Sequence, residues 1–269
     1  MKFVAVDWSG ARTGAERKTW LAEAGPEGLR RLECGRSREE VAEHVAELAR
    51  KDADLVAGFD FGFSAPAWFL HENGWATAPE MWAAAAEQGE TWLRSNPPWW
   101  GGRYGRRPVL RPGQSAHRLS DLRLKVGPTS PKSVFQAGGA GSVGTGSVRG
   151  WPLLRRLRDA GLRIWPFDPP ALPVVVEIYP RSLTGPVNKS NAGARRRYLC
   201  DRFPDLPGRL AETAAASEDA FDAAVSALVM AQHAPLLLHL PVVTDAASRL
   251  EGVIWHPLLN LEGLAEEDE

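Results

Sequence analysis

Phe3-Val4-Ala5-Val6-Asp7 is an apolar run closed by an acid, and Leu55-Val56-Ala57-Gly58-Phe59-Asp60 repeats the pattern further along the chain. A third run, Val174-Val175-Val176, ends in Glu177, and a fourth acidic site, Asp219 with Asp222, opens an amphipathic stretch. Strands buried on both faces read as continuous apolar runs, and in open α/β sheets ligands gather where such strands end. Acids repeated at these ends predict one convergent site. Hard divalent cations take oxygen donors, and carboxylates gathered without a cation repel one another and hold protons more tightly. The pattern therefore predicts a Mg²⁺ or Mn²⁺ site on Asp7, Asp60, Glu177, Asp219 and Asp222. Taken singly, each acid has a plainer reading. Asp219 suits the positive end of a helix dipole, Asp7 and Asp60 suit turn hydrogen bonds, and Glu177 precedes Pro180, where a strand end tolerates any polar residue.

Working outward, Thr19–Ala22 and Leu29–Glu33 read as two further strands separated by Gly/Pro turns, which with residues 2–9 make a three-stranded antiparallel meander. Val41, Val45 and Leu48 have helical spacing, with Ser37 as N-cap and Glu40 as its capping-box partner, so a helix to about Lys51 leads into the strand ending at Asp60. A helix is expected over Pro152–Asp159, stopped by Gly161. A short strand near Leu162–Trp165 and a Pro-rich turn at 166–173 follow it. Ser217 caps a helix to about His233. Its stripe of Phe221, Val225, Leu228, Val229 and Gln232 turns Asp222 toward the sheet, one turn from Asp219. A last strand is expected at Gly252–Trp255, ahead of a frayed acidic tail over 262–269. The sum is one α/β domain over 1–269, a mixed sheet of meander plus parallel strands flanked by helices, with a Trp/Arg-rich insertion or lid at 67–149.

Bulk properties narrow the function classes. A chain of 269 residues with 44% hydrophobic composition has ample material for a buried core, and a net charge of −1 gives no global attraction to polyanions. Cys34 and Cys200 are too few and too far apart for a disulfide framework or a structural zinc site, which fits a reducing cytoplasm. The N-terminal residues lack a signal-peptide apolar region, and no stretch reaches the roughly 18 apolar residues of a membrane span. The chain offers no sign of a protein partner. None of the six histidines has metal-ligand spacing, and Ser9 and Ser64 lack a recognisable base, which disfavours a serine hydrolase.

Charge is nevertheless uneven. Between Arg94 and Arg149 ten basic side chains, Arg103, Arg106, Arg107, Lys132 and Arg149 among them, stand against Asp121 alone, interleaved with Trp99, Trp100 and Tyr104. Arginines among aromatics suit phosphate contact and base stacking, which predicts a nucleic-acid partner; the plainer reading packs the rings into the core. The glycine-rich residues 138–150 precede a helix and offer a phosphate loop through Gly141, Ser142, Gly144 and Thr145. Gly139, Gly141 and Gly144 satisfy GxGxxG, yet the Walker lysine and a ribose-binding acid are both missing.

The order strand, strand, strand, helix, strand, with acids on the first and fourth strands, resembles the opening of a ribonuclease H-like fold. Val6-Asp7-Trp8-Ser9-Gly10, Asp60-Phe61-Gly62-Phe63-Ser64-Ala65-Pro66, Glu177-Ile178-Tyr179-Pro180-Arg181-Ser182 and Glu218-Asp219-Ala220-Phe221-Asp222-Ala223-Ala224 resemble, in order, the motifs of the family catalogued as domain of unknown function 429, regarded as ribonuclease H-like nucleases. The resemblance runs from residue 4 to about residue 230. It implies metal-binding roles for Asp7, Asp60, Glu177 and the Asp219/Asp222 pair, the last similar to the paired aspartates of Holliday-junction resolvases. The stretch from Trp92 to Arg123 matches none of these motifs.

These readings lead to a cytoplasmic, metal-dependent phosphodiesterase acting on RNA or DNA, in which Lys132 or Arg181 neutralises the phosphate. Two alternatives stay open. One is a nucleotide-dependent phosphotransferase of the actin and sugar-kinase type, using Asp7-Trp8-Ser9-Gly10 and Gly141–Gly146. The other is a nucleic-acid-binding module with an inactive acid cluster.

Overall fold

A computed structural model describes residues 1–95 and 97–259; the expected acidic tail at 262–269 lies outside them. The meander forms as expected from β1 (Lys2–Asp7), β2 (Trp20–Gly25) and β3 (Gly28–Cys34), then α1 (Arg38–Lys51) leads into β4 (Leu55–Phe59). The Ser37 capping box is complete, with Ser37 Oγ accepting from Glu40 N and Glu40 accepting from Ser37 N. After α2 (Ala67–Glu72), α3 (Ala78–Trp92), α4 (Leu119–Arg123) and α5 (Gly144–Asp159), the chain adds β5 (Arg163–Ile164) and β6 (Val174–Ile178). It continues through α6 (Pro180–Thr184), α7 (Ala192–Arg202), α8 (Gly208–Ala216), α9 (Glu218–Gln232), α10 (Ala234–Leu238) and α11 (Ala246–Glu251) to β7 (Ile254–Trp255). The result is an α/β architecture on one mixed sheet of seven strands in the order β3-β2-β1-β4-β6-β5, with β7 also on β6. β2 runs antiparallel to β1 and β3, and the remaining pairs are parallel.

Strand alternation sends side chains to two separate cores. Val4, Val6, Ala57, Phe59 and Val175 face a layer that includes α1, α3 and α5. Phe3, Ala5, Val56, Val174 and Val176 face α7, α8, α9 and α10. Burying both faces is what makes the strand sequences continuously apolar. Among the described residues no helix is long and apolar enough to cross a membrane.

Residues 67–149 differ from expectation. They contain the 15-residue helix α3, capped by Thr77 accepting from Glu80 N, in a stretch that reads as poor in periodic segments. Their aromatic rings pack inward: Trp99 meets Phe135 edge-on at 5.3 Å and the tilted Trp151 ring at 6.3 Å between centroids, and the buried Trp82 donates to Phe63 O at 2.7 Å. Helix α5 begins at Gly144 and carries Pro152 in its interior, not near its first turn. Its glycines let the helix approach its neighbours. A Cβ on Gly150 would lie 2.5 Å from the Phe61 ring, and one on Gly144 2.6 Å from Val134 O.

Candidate functional site

Asp7 is the last residue of β1 and Asp60 the first beyond β4, and these strands pair in parallel with Val6 opposite Phe59. Asp60 N donates to Val6 O at 3.0 Å, so the pairing carries on to the acids themselves. Parity fixes their direction. Asp7 continues the alternation of Phe3 and Ala5, and Asp60 that of Val56 and Gly58, so both carboxyls point to the α9 face. Helix α9 runs back along this face: a Cβ on Gly58 would meet Met230 Sδ at 2.9 Å, which leaves its N-terminal turns at the strand ends. Ser217 caps it as expected, accepting from Ala220 N at 3.0 Å, and its second turn brings Asp222 to the site.

The electrostatics record this convergence. Burial, then the charges of Asp60, Asp222 and Asp219, hold the Asp7 carboxyl well above the usual carboxylate range, with Lys189 pulling the other way. Burial, followed by Asp222, raises Asp60 to about 8. Asp222 is raised by burial against the pull of Lys189, and Asp219, less deeply set, is raised by burial and Glu218. One buried oxygen, Asp222 Oδ1, has no hydrogen-bond partner.

Lys189 is a residue that no periodicity or spacing marks in the sequence. Its Nζ donates to Asp222 Oδ2. The loop carrying it is pinned from two sides. Arg195, itself buried, donates to Lys189 O and to Ala215 O, and Arg181 donates to Gly185 O at 3.1 Å and Val187 O at 2.8 Å. Arg181, expected to meet phosphate, thus braces the loop and lies close enough to lower the Asp222 pKa. Tyr179, just beyond β6, is raised by burial and then by Asp60, so its ring also borders the site.

Glu177 does not join the other acids on their face. It pairs with Phe59, whose side chain is on the α5 side of the sheet, and so it points away from α9. There Arg118 donates to its two oxygens at 2.5 and 2.7 Å, and Phe63 N donates at 2.8 Å. Arg118 also grips Asp121 Oδ1 at 2.8 Å. All three side chains are buried, so the pair is an internal tie between residues 118–121 and β6.

The basic segment is only partly available to a ligand. Arg118 is internal, Arg149 pairs with Glu90 at 2.6 Å and Arg111 with Glu72 at 3.0 Å. Trp99 and Trp100 are buried, which removes them as stacking platforms. Arg103, Arg106, Arg107 and Lys132 stay exposed, Arg103 bonding Tyr104 Oη and Arg107 lying 5.2 Å from the Trp100 ring centroid. Gly141 and Ser142 lie in the loop before α5, and Gly144 N already donates to Gln136 O. Thr145 and Gly146 pack on Gly10, where a Cβ would collide with both, and Trp8 Nε1 donates to Gly146 O at 3.0 Å. The glycines at 144, 146 and 150 thus serve close packing.

Compared with known proteins, the chain matches no family model, no curated protein and no solved structure. Among the described residues no three His, Cys, Asp or Glu side chains are preassembled as a metal-binding group. The donor set nonetheless suits a hard cation: buried carboxylates that raise one another's pKa values, an orphaned buried oxygen on Asp222, and Lys189 donating to that same carboxylate.

Proposed function

We propose that this chain is a metal-dependent phosphodiesterase of ribonuclease H-like fold that cleaves nucleic acid. The observation that carries the reading is the alignment of Asp7 and Asp60 on paired strand ends, buried and close enough to Asp222 for its charge to raise both pKa values further. The sheet order β3-β2-β1-β4-β6, antiparallel in the meander and parallel beyond it, supports the ribonuclease H-like reading.

Asp7, Asp60 and Asp222 would hold Mg²⁺ or Mn²⁺, with Asp219 at the rim and Glu177 kept by Arg118. When bound, such an ion acidifies water and polarises a phosphoryl oxygen. The protein's own groups do the rest. Asp7 and Asp60, fixed by the β1–β4 ladder, need no reorganisation to present oxygens side by side. Lys189 balances the carboxylates and, released from Asp222, supplies positive charge to a phosphate beside it. The test is cleavage of RNA, DNA, hybrid and branched oligonucleotides with and without Mg²⁺ or Mn²⁺. Metal-dependent cleavage abolished by Asp7→Asn is expected, and an unchanged rate in that variant refutes the assignment. Thermal stabilisation by ATP with no response to oligonucleotides would favour the phosphotransferase instead.

A further inference from the structure

Three cavities adjoin along the side of the molecule that borders the end of β1. The one at the end of β1, about 440 Å³, is walled by Ser9 and Gly10, which closely follow Asp7, by Lys18, which also acts on Asp219, and by Thr145 and Arg149 of α5. A second, about 320 Å³, shares Arg12, Arg103, Tyr104 and Arg149 with it and adds Arg94. The third, about 570 Å³, lies between α1, α3 and α5, shares Arg12 and Arg149 with both, and adds Arg38 and Arg156. Shared walls make these one continuous trough leading away from the end of β1.

Eight basic side chains line it against four acids, Glu39, Glu87, Glu90 and Asp159, and Glu90 is the one acid that lines either of the two smaller cavities among the described residues. Among the described residues none of Arg12, Lys18, Arg94, Arg103 and Arg156 has an acid within ion-pair distance. The wall acid Glu90 is already held by Arg149 in a two-point contact, and Asp159 has Arg155 at 3.9 Å. Arg38, in the wall of the largest cavity, has a buried Nε without a partner. Where the two smaller cavities meet, Arg103 lies 5.0 Å from the centroid of the Tyr104 ring. Exposed cations in series along a trough beside an aromatic ring suit a flexible polyanion with stackable bases, which can follow the trough and bring its bases to the ring.

We infer that this trough is the binding track for a single nucleic-acid strand, which it leads from the α1–α3–α5 cleft past Arg12 to the end of β1, where the strand turns across the sheet end toward the acids on the α9 face. This rests on the nuclease reading for its purpose, but its test does not depend on cleavage. Anisotropy of a labelled oligothymidylate of about 15 nucleotides is followed against salt in EDTA, for the wild type and a triple variant, Arg12→Ala, Arg94→Ala and Arg156→Ala. These exposed side chains donate none of the described hydrogen bonds, and thermal melting confirms that the variant folds. The variant is expected to bind at least roughly tenfold more weakly at low salt, with a log–log salt slope shallower by about 2, from about 0.7 per lost phosphate contact. A charge-matched control on α7 and α8, on the other face of the sheet, Arg197→Ala, Arg202→Ala and Arg209→Ala, is expected to keep the wild-type slope. Wild-type affinity in the trough variant, an equal loss in the control, or tighter binding of a duplex of the same length overturns the inference. Asp7→Asn separates the two ideas. Trough-dependent binding with no cleavage by any form refutes the nuclease reading and leaves the track standing, whereas metal-dependent cleavage indifferent to the trough variant does the reverse.

Discussion

Asp60→Asn should stabilise the metal-free protein at neutral and alkaline pH. The Asp60 carboxyl moves from an ordinary 3.8 to about 8 on folding, raised first by burial and then by Asp222. Because the folded form holds its proton more tightly than the unfolded chain, the protein is most stable below pH 4 in this respect and loses stability as pH rises toward 8. Four units at about 1.4 kcal/mol each amount to about 6 kcal/mol. Partial solvent contact of the carboxyl screens its interactions and brings the expected effect to roughly 2–3 kcal/mol. The amide keeps the shape and never ionises; it also removes the second-largest cause of the raised Asp7 pKa, so the variant's pH dependence should flatten further. Urea unfolding in EDTA at pH 4, 6 and 8 measures this directly. Wild type and variant are expected to coincide near pH 4 and to diverge progressively, the variant ahead at pH 8. Millimolar Mg²⁺ should close the gap by stabilising the wild type alone. Parallel pH curves, or a variant less stable than wild type at pH 8, would refute the reasoning.

Three further perturbations probe the rest of the framework. Arg118→Met strands two buried carboxylates, Glu177 and Asp121, and should cost about 3–5 kcal/mol in urea unfolding; adding Glu177→Gln and Asp121→Asn should restore much of it. Lys189→Met removes the ammonium from Asp222 and is expected to tighten Mn²⁺ binding up to about tenfold by calorimetry, roughly 1.4 kcal/mol, since a divalent ion no longer displaces it. Weaker Mn²⁺ binding would show that Lys189 helps to build the site. Gly150→Ala drives a methyl into the Phe61 ring and should lower stability by about 1–3 kcal/mol, visible as a lower Tm with the far-UV spectrum retained.

Much of the frame could be read from the chain because local chemistry and global fold agree there. The apolar runs closed by Asp7 and Asp60, the Ser37–Glu40 capping box and the Ser217 cap each form as their residues dictate. Glu177 was harder. Its run of valines identifies a strand, but the face it points to depends on pairing with Phe59, and a single step of register reverses every side chain. Trp99 and Trp100 look like stacking platforms beside arginines until Phe69, Phe135 and Trp151 enclose Trp99 and Phe135 meets Trp100, contacts remote in sequence. Residues 144–150 read as a loop because glycine lowers helix propensity, a preference overridden by close packing on Gly10 and Phe61. Lys189 left no local trace, since its position depends on Arg181 and Arg195 holding the loop over α9.

The most direct test of the central claim is an anomalous difference map from crystals grown with Mn²⁺. The account predicts a peak on the α9 face of the sheet within about 2.0–2.3 Å of carboxyl oxygens of Asp7 and Asp60, with Lys189 drawn away from Asp222. Saturating Mn²⁺ with no peak there, and the Lys189–Asp222 pair intact, would contradict it.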